Sequence, residues 1–276
     1  MRQRSLRVFW AVLRLYTLLI LAVYFLQGRL LYLRSANTLE ETQQQAADAR
    51  LSLWPNAAKY QALVRTPPGG AQGTVILFHG NAGTAADRAF YATQFEQCGF
   101  RTLLVEYPGY GARNTDDVAL RQTPLAAEGS QIILAAHAQF APPLFVVGES
   151  LGAAIAAQAI QRAEHAQAGV VSGALLITPW DELANTASRR FWFLPVRLIL
   201  ADQYSSVIAL KNFHAPLIVV RATHDEIIPA ASTQALFDSF TGPKQIFNIS
   251  GGHNSWSQNL PGNWWPALCK QMQELR

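Results

Sequence analysis

The chain has 276 residues, half of them hydrophobic, which is enough for one α/β domain of about 200–250 residues. Its formal charge is +4, but six of its 22 basic residues (Arg2, Arg4, Arg7, Arg14, Arg29 and Arg34) precede the first acid, Glu40. The 16 that remain face 18 acids, about −2, so the positive charge belongs to the N-terminal segment and no nucleic-acid footprint is expected.

The N-terminal segment reads as a membrane anchor. Val8 to Gly28 is apolar apart from Arg14 and, at 1.5 Å per residue, spans roughly 31 Å, close to the hydrocarbon thickness of a bilayer. Arg14 lies near the N-terminal end of the run, where its side chain can snorkel to the interface. Four arginines precede the uncharged stretch and two follow it, which places the N-terminus in the cytoplasm and the rest of the chain outside. A cleaved signal peptide is the competing reading. The run leads into Gln27-Gly28-Arg29-Leu30-Leu31-Tyr32 without a small-x-small cleavage site, so an uncleaved anchor is expected over residues 1–34. The Ala/Gln-rich composition, with no complex targeting signal, points to a bacterial inner membrane facing the periplasm.

Residues 35–56 are polar, rich in Ala and Gln, and read as a partly helical connector to a domain over 57–276. Tyr60 to Arg65 reads as an early strand, ended by Pro67-Pro68-Gly69-Gly70. Further strands are expected at Thr74 to Phe78, Thr102 to Val105, Leu144 to Val147, Ala174 to Ile177, Leu217 to Val220 and Gln245 to Ile249. Between them lie helical patterns at Thr84 to Cys98, Asp116 to His137, Leu151 to Ala163, Ala230 to Phe240 and Trp264 to Glu274. Apolar strands separated by helices predict an α/β fold with a mostly parallel sheet covered on both faces, whose ligands bind outside the C-terminal strand ends. Cys98 and Cys269 have no metal-ligand spacing, which argues against a zinc site or a catalytic cysteine. Their helices fall on one side of the sheet, so pairing is open in an oxidising compartment, but two unrelated buried thiols are expected.

The chemistry gathers at strand ends. Gly148-Glu149-Ser150-Leu151-Gly152 stands between a strand and a helix, the sequence form of a nucleophile elbow: the turn lifts a serine hydroxyl onto a helix N-terminus. A serine hydroxyl needs an adjacent base and a third group to orient that base. Asp225 follows Leu217 to Val220, and His253 follows Phe247-Asn248-Ile249, giving the order serine, acid, histidine. In this reading Ser150 attacks an acyl carbon, His253 takes and later returns the proton, and Asp225 stabilises the imidazolium. The oxyanion requires backbone N–H donors, expected from Leu151 and from Asn81 in His79-Gly80-Asn81-Ala82-Gly83; one such donor is typically worth about 2.7–4 kcal/mol. No metal or organic cofactor is needed.

These motifs together resemble the α/β-hydrolase superfamily, and within it the membrane-anchored ABHD-type serine hydrolases, from about Leu30 to the C-terminus. The resemblance rests on the residues just quoted, on Glu106-Tyr107-Pro108-Gly109-Tyr110-Gly111, on Pro179-Trp180-Asp181 and Leu194-Pro195-Val196, and on the runs around Asp225 and His253. Two positions depart from it. Ala222 stands where the family often has glycine, and Gln203 follows Asp202 where a basic residue is usual. The resemblance implies a short cap over about 179–216, which carries Arg189-Arg190-Phe191-Trp192-Phe193. It also implies hydrolysis of carboxylic esters or thioesters, with small or lipid-like acyl substrates. A serine peptidase or amidase, and a non-catalytic membrane-tethered binding protein of the same fold, are the alternatives. Among rival residues, Asp181 reads as a cap for the following helix, and His137, His165 and His214 as solvated or structural. His79 and His224 read as loop residues, Tyr107 and Tyr110 as turn and rim residues, and Glu106 as a packing or hydrogen-bonding residue.

Overall fold

The computed structural model describes residues 2–115, 120–258 and 260–274. Helix α1 (Arg2–Leu31) is followed by β1 (Leu33–Arg34), α2 (Leu39–Asp48), β2 (Ser52–Trp54), β3 (Ala62–Arg65), β4 (Thr74–Phe78) and β5 (Ala82–Gly83). Then come α3 (Ala89–Gln97), β6 (Arg101–Val105), α4 (Gln122–Gln139), β7 (Leu144–Glu149), α5 (Leu151–Ala166) and β8 (Gly173–Ile177). Three short helices, α6 (Leu183–Arg190), α7 (Val196–Ile199) and α8 (Ser206–Ala209), precede β9 (Leu217–Ala222), α9 (Ala230–Ser239), β10 (Lys244–Ile249) and α10 (Trp264–Glu274).

Eight strands form one sheet in the order β10-β9-β8-β7-β4-β6-β3-β2. From β10 to β6 all neighbours are parallel, and β3 turns the sheet antiparallel against β6 and β2. Alternate residues of each strand feed the two faces. In β4, Ile76 and Phe78 join a core with α4, α5 and α9, while Val75 and Leu77 join one with α3 and α10. Both faces are therefore apolar, which explains why these strands read as continuous hydrophobic runs.

Several expectations need correction. The connector contains the edge strand β2, whose three residues are too few to stand out by alternation. Its helical part, α2, starts at a capping box in which Thr38 and Glu41 satisfy each other's backbone N–H groups. The helix expected from Thr84 starts later, because the Asp87 carboxylate takes the Thr84 N–H at 2.7 Å and holds a turn there. The helix expected from Asp116 starts at Gln122, and residues 116–119 lie outside the described residues. Cys98 and Cys269 are not separate thiols. They form a disulfide that closes a separation of 171 residues and ties the C-cap of α3 to α10. Edge-to-face contacts of Trp265 with Phe95 and Tyr91 bring these helices together on one face, and sequence alone has no measure of that distance.

Candidate active site

The turn from β7 into α5 is built by exclusion. A Cβ on Gly148 would lie 2.5 Å from Ala153 Cα, and one on Gly152 would lie 2.1 Å from the Phe78 carbonyl oxygen. Any side chain at either position would push the helix off the sheet. Ser150, between them, has φ 55° and ψ −118°, a strained conformation for a residue with a side chain. Its N–H is held by Ile177 O at 2.9 Å, and the half-buried side chain projects at the C-terminal end of the sheet.

Two further loops reach this turn. After β9, Asp225 Oδ1 accepts the N–H groups of Ile227 (2.9 Å) and Ile228 (2.7 Å), so the loop coils around the carboxylate. After β10, His253 is almost fully buried, with Nδ1 2.8 Å from Asp225 Oδ2 and Nε2 2.8 Å from Ser150 Oγ. Ser150, His253 and Asp225 thus form one continuous hydrogen-bonded chain across β7, β9 and β10. Glu226 completes the arrangement by accepting the His253 N–H at 3.1 Å, a contact that follows from the loop's path and leaves no pattern in the sequence.

The loop after β4 lies against the elbow. A Cβ built on Gly80 would be 3.8 Å from Ser150 Cβ. His79 Nδ1 donates to Gly80 O at 2.8 Å, and because a trans peptide directs its C=O and N–H oppositely, the Asn81 N–H points away from the His79 ring. Asn81 O accepts from Leu33 N and from the Tyr110 hydroxyl, both at 2.9 Å. Leu151 opens α5, so its N–H is one of the helix's unpaired first-turn donors.

Tyr107 and Tyr110 are buried, not rim residues. The Tyr107 hydroxyl donates to His79 O at 2.8 Å, so together the two phenols prop the loop from below. Burial raises the Tyr107 pKa well above the ordinary phenol value, which keeps it a donor. Arg88 adds a clamp, with Nε 3.0 Å from Glu149 Oε2 and an N–H to Ala82 O at 3.2 Å, joining the elbow to the same loop. Glu106 is fully buried and accepts the Ala85 N–H.

Among the rivals, Asp181 does not cap α6 through a backbone N–H. Its carboxylate bonds the Asn185 side chain at 2.7 Å and the Ser232 hydroxyl, away from His253. His224 is exposed and contacts Thr223, and His165 and His214 are also exposed. Where Gln203 departs from the family pattern, Asp202 finds its cation elsewhere: Arg121 Nε lies 3.0 Å from its Oδ1. A cavity of about 990 Å³ is lined by Gln158, Gln161 and His165 of the distal half of α5, and Ser150 is not among its lining residues.

The fold has close counterparts among solved structures. An esterase from Thermogutta terrifontis superposes with a TM-score of 0.58 at 15% identity, covering 77% of this chain and 86% of the esterase. A monoacylglycerol lipase from Paleococcus ferrophilus gives 0.54 at 16% identity, covering 78% of this chain and 100% of the lipase. Residues 69–200 match the family described as serine aminopeptidase, S33. The chain has the α/β-hydrolase fold. The chain is also 32% identical over 189 residues to an uncharacterized protein of Mycobacterium tuberculosis, covering 67% of the chain and 64% of that relative. The chain thus spans less than two thirds of the curated relative it matches. Among the described residues one helix, Gln3–Leu31, is long and apolar enough to cross a membrane.

Proposed function

We propose that the chain is a membrane-anchored serine hydrolase that cleaves carboxylic ester or thioester bonds through an acyl-Ser150 intermediate. The observation that carries this reading is the hydrogen-bonded chain from Asp225 through His253 to Ser150, with both links at 2.8 Å. In the first half-reaction Ser150 Oγ attacks the acyl carbon while His253 Nε2 takes its proton. The developing oxyanion lies toward the N–H groups of Leu151 and Asn81, and the positive end of α5 favours its charge. His253 then protonates the leaving group. Asp225, bonded to Nδ1, holds the imidazole in the tautomer whose Nε2 accepts a proton and stabilises the imidazolium. Water, activated by the same imidazole, releases the acid.

Helix α1 serves as the anchor, with the N-terminus in the cytoplasm and the hydrolase domain in the periplasm of a bacterial inner membrane. The Cys98–Cys269 disulfide supports an oxidising location for that domain. Carbonate washing of membranes tests the anchor: retention of the intact chain is expected, and its release overturns a spanning helix. For the chemistry, a fluorophosphonate probe labels the wild type and not Ser150→Ala; equal, weak labelling of both would overturn the enzyme reading. The family match to a serine aminopeptidase favours a second reading, amide cleavage at the same serine. A p-nitrophenyl ester and a matched aminoacyl p-nitroanilide separate the two, with faster turnover of the ester expected.

A further inference from the structure

Helix α1 does more than end where the domain begins. Its only partly covered positions before the last turn are Ile20, Val23, Gln27 and Gly28, spaced so that they share one face, and Leu31 continues the line. Along this line α1 meets the cap. Gln27 donates to Ile199 O at 3.0 Å and accepts from Ala201 N at 2.8 Å. Tyr32 donates to Asp202 Oδ2 at 2.9 Å. Farther up the helix, the Tyr16 hydroxyl donates to Phe193 O at 2.7 Å.

The Tyr16 contact fixes where the cap sits. About 20 residues are enough to cross a bilayer, and every stretch of that length within Gln3–Leu31 contains Tyr16. The carbonyl it holds is therefore at hydrocarbon depth whichever stretch is used. The residues beside that carbonyl suit such a place. Trp192 is 82% exposed and Leu198 86%, and Phe191 and Phe193 are also exposed. Three backbone contacts pair part of the tip: Leu194 N donates to Phe191 O, Val196 N to Leu194 O, and Phe193 O accepts from Tyr16. Each such bond lowers the cost of placing irregular backbone in an apolar layer. Arg189 and Arg190 flank the tip, are exposed, and have stems long enough to bring their charges back to anionic headgroups, while Arg197 within it bonds the Asn185 side chain.

We propose that residues 191–198 are a second membrane contact, inserted beside α1 into the hydrocarbon layer from its outer face, so that the segment between β8 and β9 is held in the lipid. This rests on the anchoring role of α1. The partner is the acyl-chain layer of a phospholipid bilayer. The arrangement gives the site access to esters that partition into that layer. Arg34 and Leu33 pair with Gly83 and Ala82, next to Asn81, so β1, which follows directly on the helix, also holds the loop beside Ser150.

Environment-sensitive NBD labels test this on the full chain. The native cysteines are paired and do not react without reductant, so Trp192→Cys, Leu198→Cys and Leu15→Cys can each be labelled singly in phosphatidylcholine/phosphatidylglycerol vesicles. Leu15 is an exposed position on the middle of α1 and reports the anchor alone. Labels at 192 and 198 are expected to emit to the blue of an aqueous label. Nitroxides on the lipid acyl chains should quench them, and aqueous iodide should not, as at position 15. Iodide quenching at 192 and 198 with position 15 shielded overturns the cap insertion and leaves the anchor standing. Iodide quenching at all three positions overturns the anchor and the insertion together.

Discussion

The elbow and the junction between α1 and the cap are held by different kinds of force. At the elbow, backbone approaches to within distances that exclude a single methyl group at Gly148 and Gly152, so the turn is fixed sterically. At the junction, a long apolar helix meets the cap through a few polar contacts from Tyr16, Gln27 and Tyr32, and much of its surface is left exposed. The elbow is rigid because no alternative packing exists there. The junction instead depends on what surrounds it, and a bilayer would cover the apolar surface that water leaves unsatisfied.

Four measurements sharpen or break this contrast. Ser150→Ala should lower ester turnover by about 10⁴–10⁶-fold with the melting temperature little changed, since in the proposed reaction it removes the nucleophile and no packing. A small loss would mean that the elbow only shapes the fold. Gly152→Ala places a methyl 2.1 Å from Phe78 O, and overpacking of this kind costs about 1–3 kcal/mol or more, readable by thermal denaturation. An unchanged midpoint would contradict steric fixing of the turn. High pH probes the props under the site and the junction together. Tyr107 lies under the Asn81 loop and Tyr204, whose hydroxyl is 3.1 Å from that of Tyr32, at the junction; both are buried, and desolvation raises both pKa values above that of an unfolded tyrosine, about 10. Their stabilising effect is complete below about pH 10 and is lost as pH rises beyond it, because the unfolded phenols give up protons first. Denaturation midpoints should therefore fall as pH rises above about 10, with tyrosinate absorbance rising as the protein unfolds. The smallest effect is expected at the junction: Gln27→Ala removes two hydrogen bonds to the cap, each worth about 0.5–1.5 kcal/mol. Hydrogen exchange at Ala201 should speed up, and protection equal to the wild type would mean that the contact holds nothing in place.

The central strands and their helices were legible because their apolar periodicity is local. Their observed ends extend a residue or two past the expected ones, as at Gly173 and Ala222. The positions of Ser150, Asp225 and His253 at successive strand ends were legible for the same reason. Less visible were contacts that depend on chain path: Glu226 under the His253 N–H, Arg88 across to Glu149, and the phenols beneath the Asn81 loop. Each joins residues far enough apart in sequence, or small enough in pattern, that no periodicity marks them. The disulfide belongs with these, because its two cysteines meet only after α3 and α10 share a face.

By itself the sequence determined the α/β class, the apolar helix at the N-terminus, and which residues could take part in acyl transfer, since each depends on residue type and short spacing. Tertiary structure alone decided that Ser150, His253 and Asp225 stand in hydrogen-bond contact, and that Cys98 meets Cys269. It also decided that Tyr16 meets the cap. These are distances across the folded chain, fixed by sheet order and helix packing.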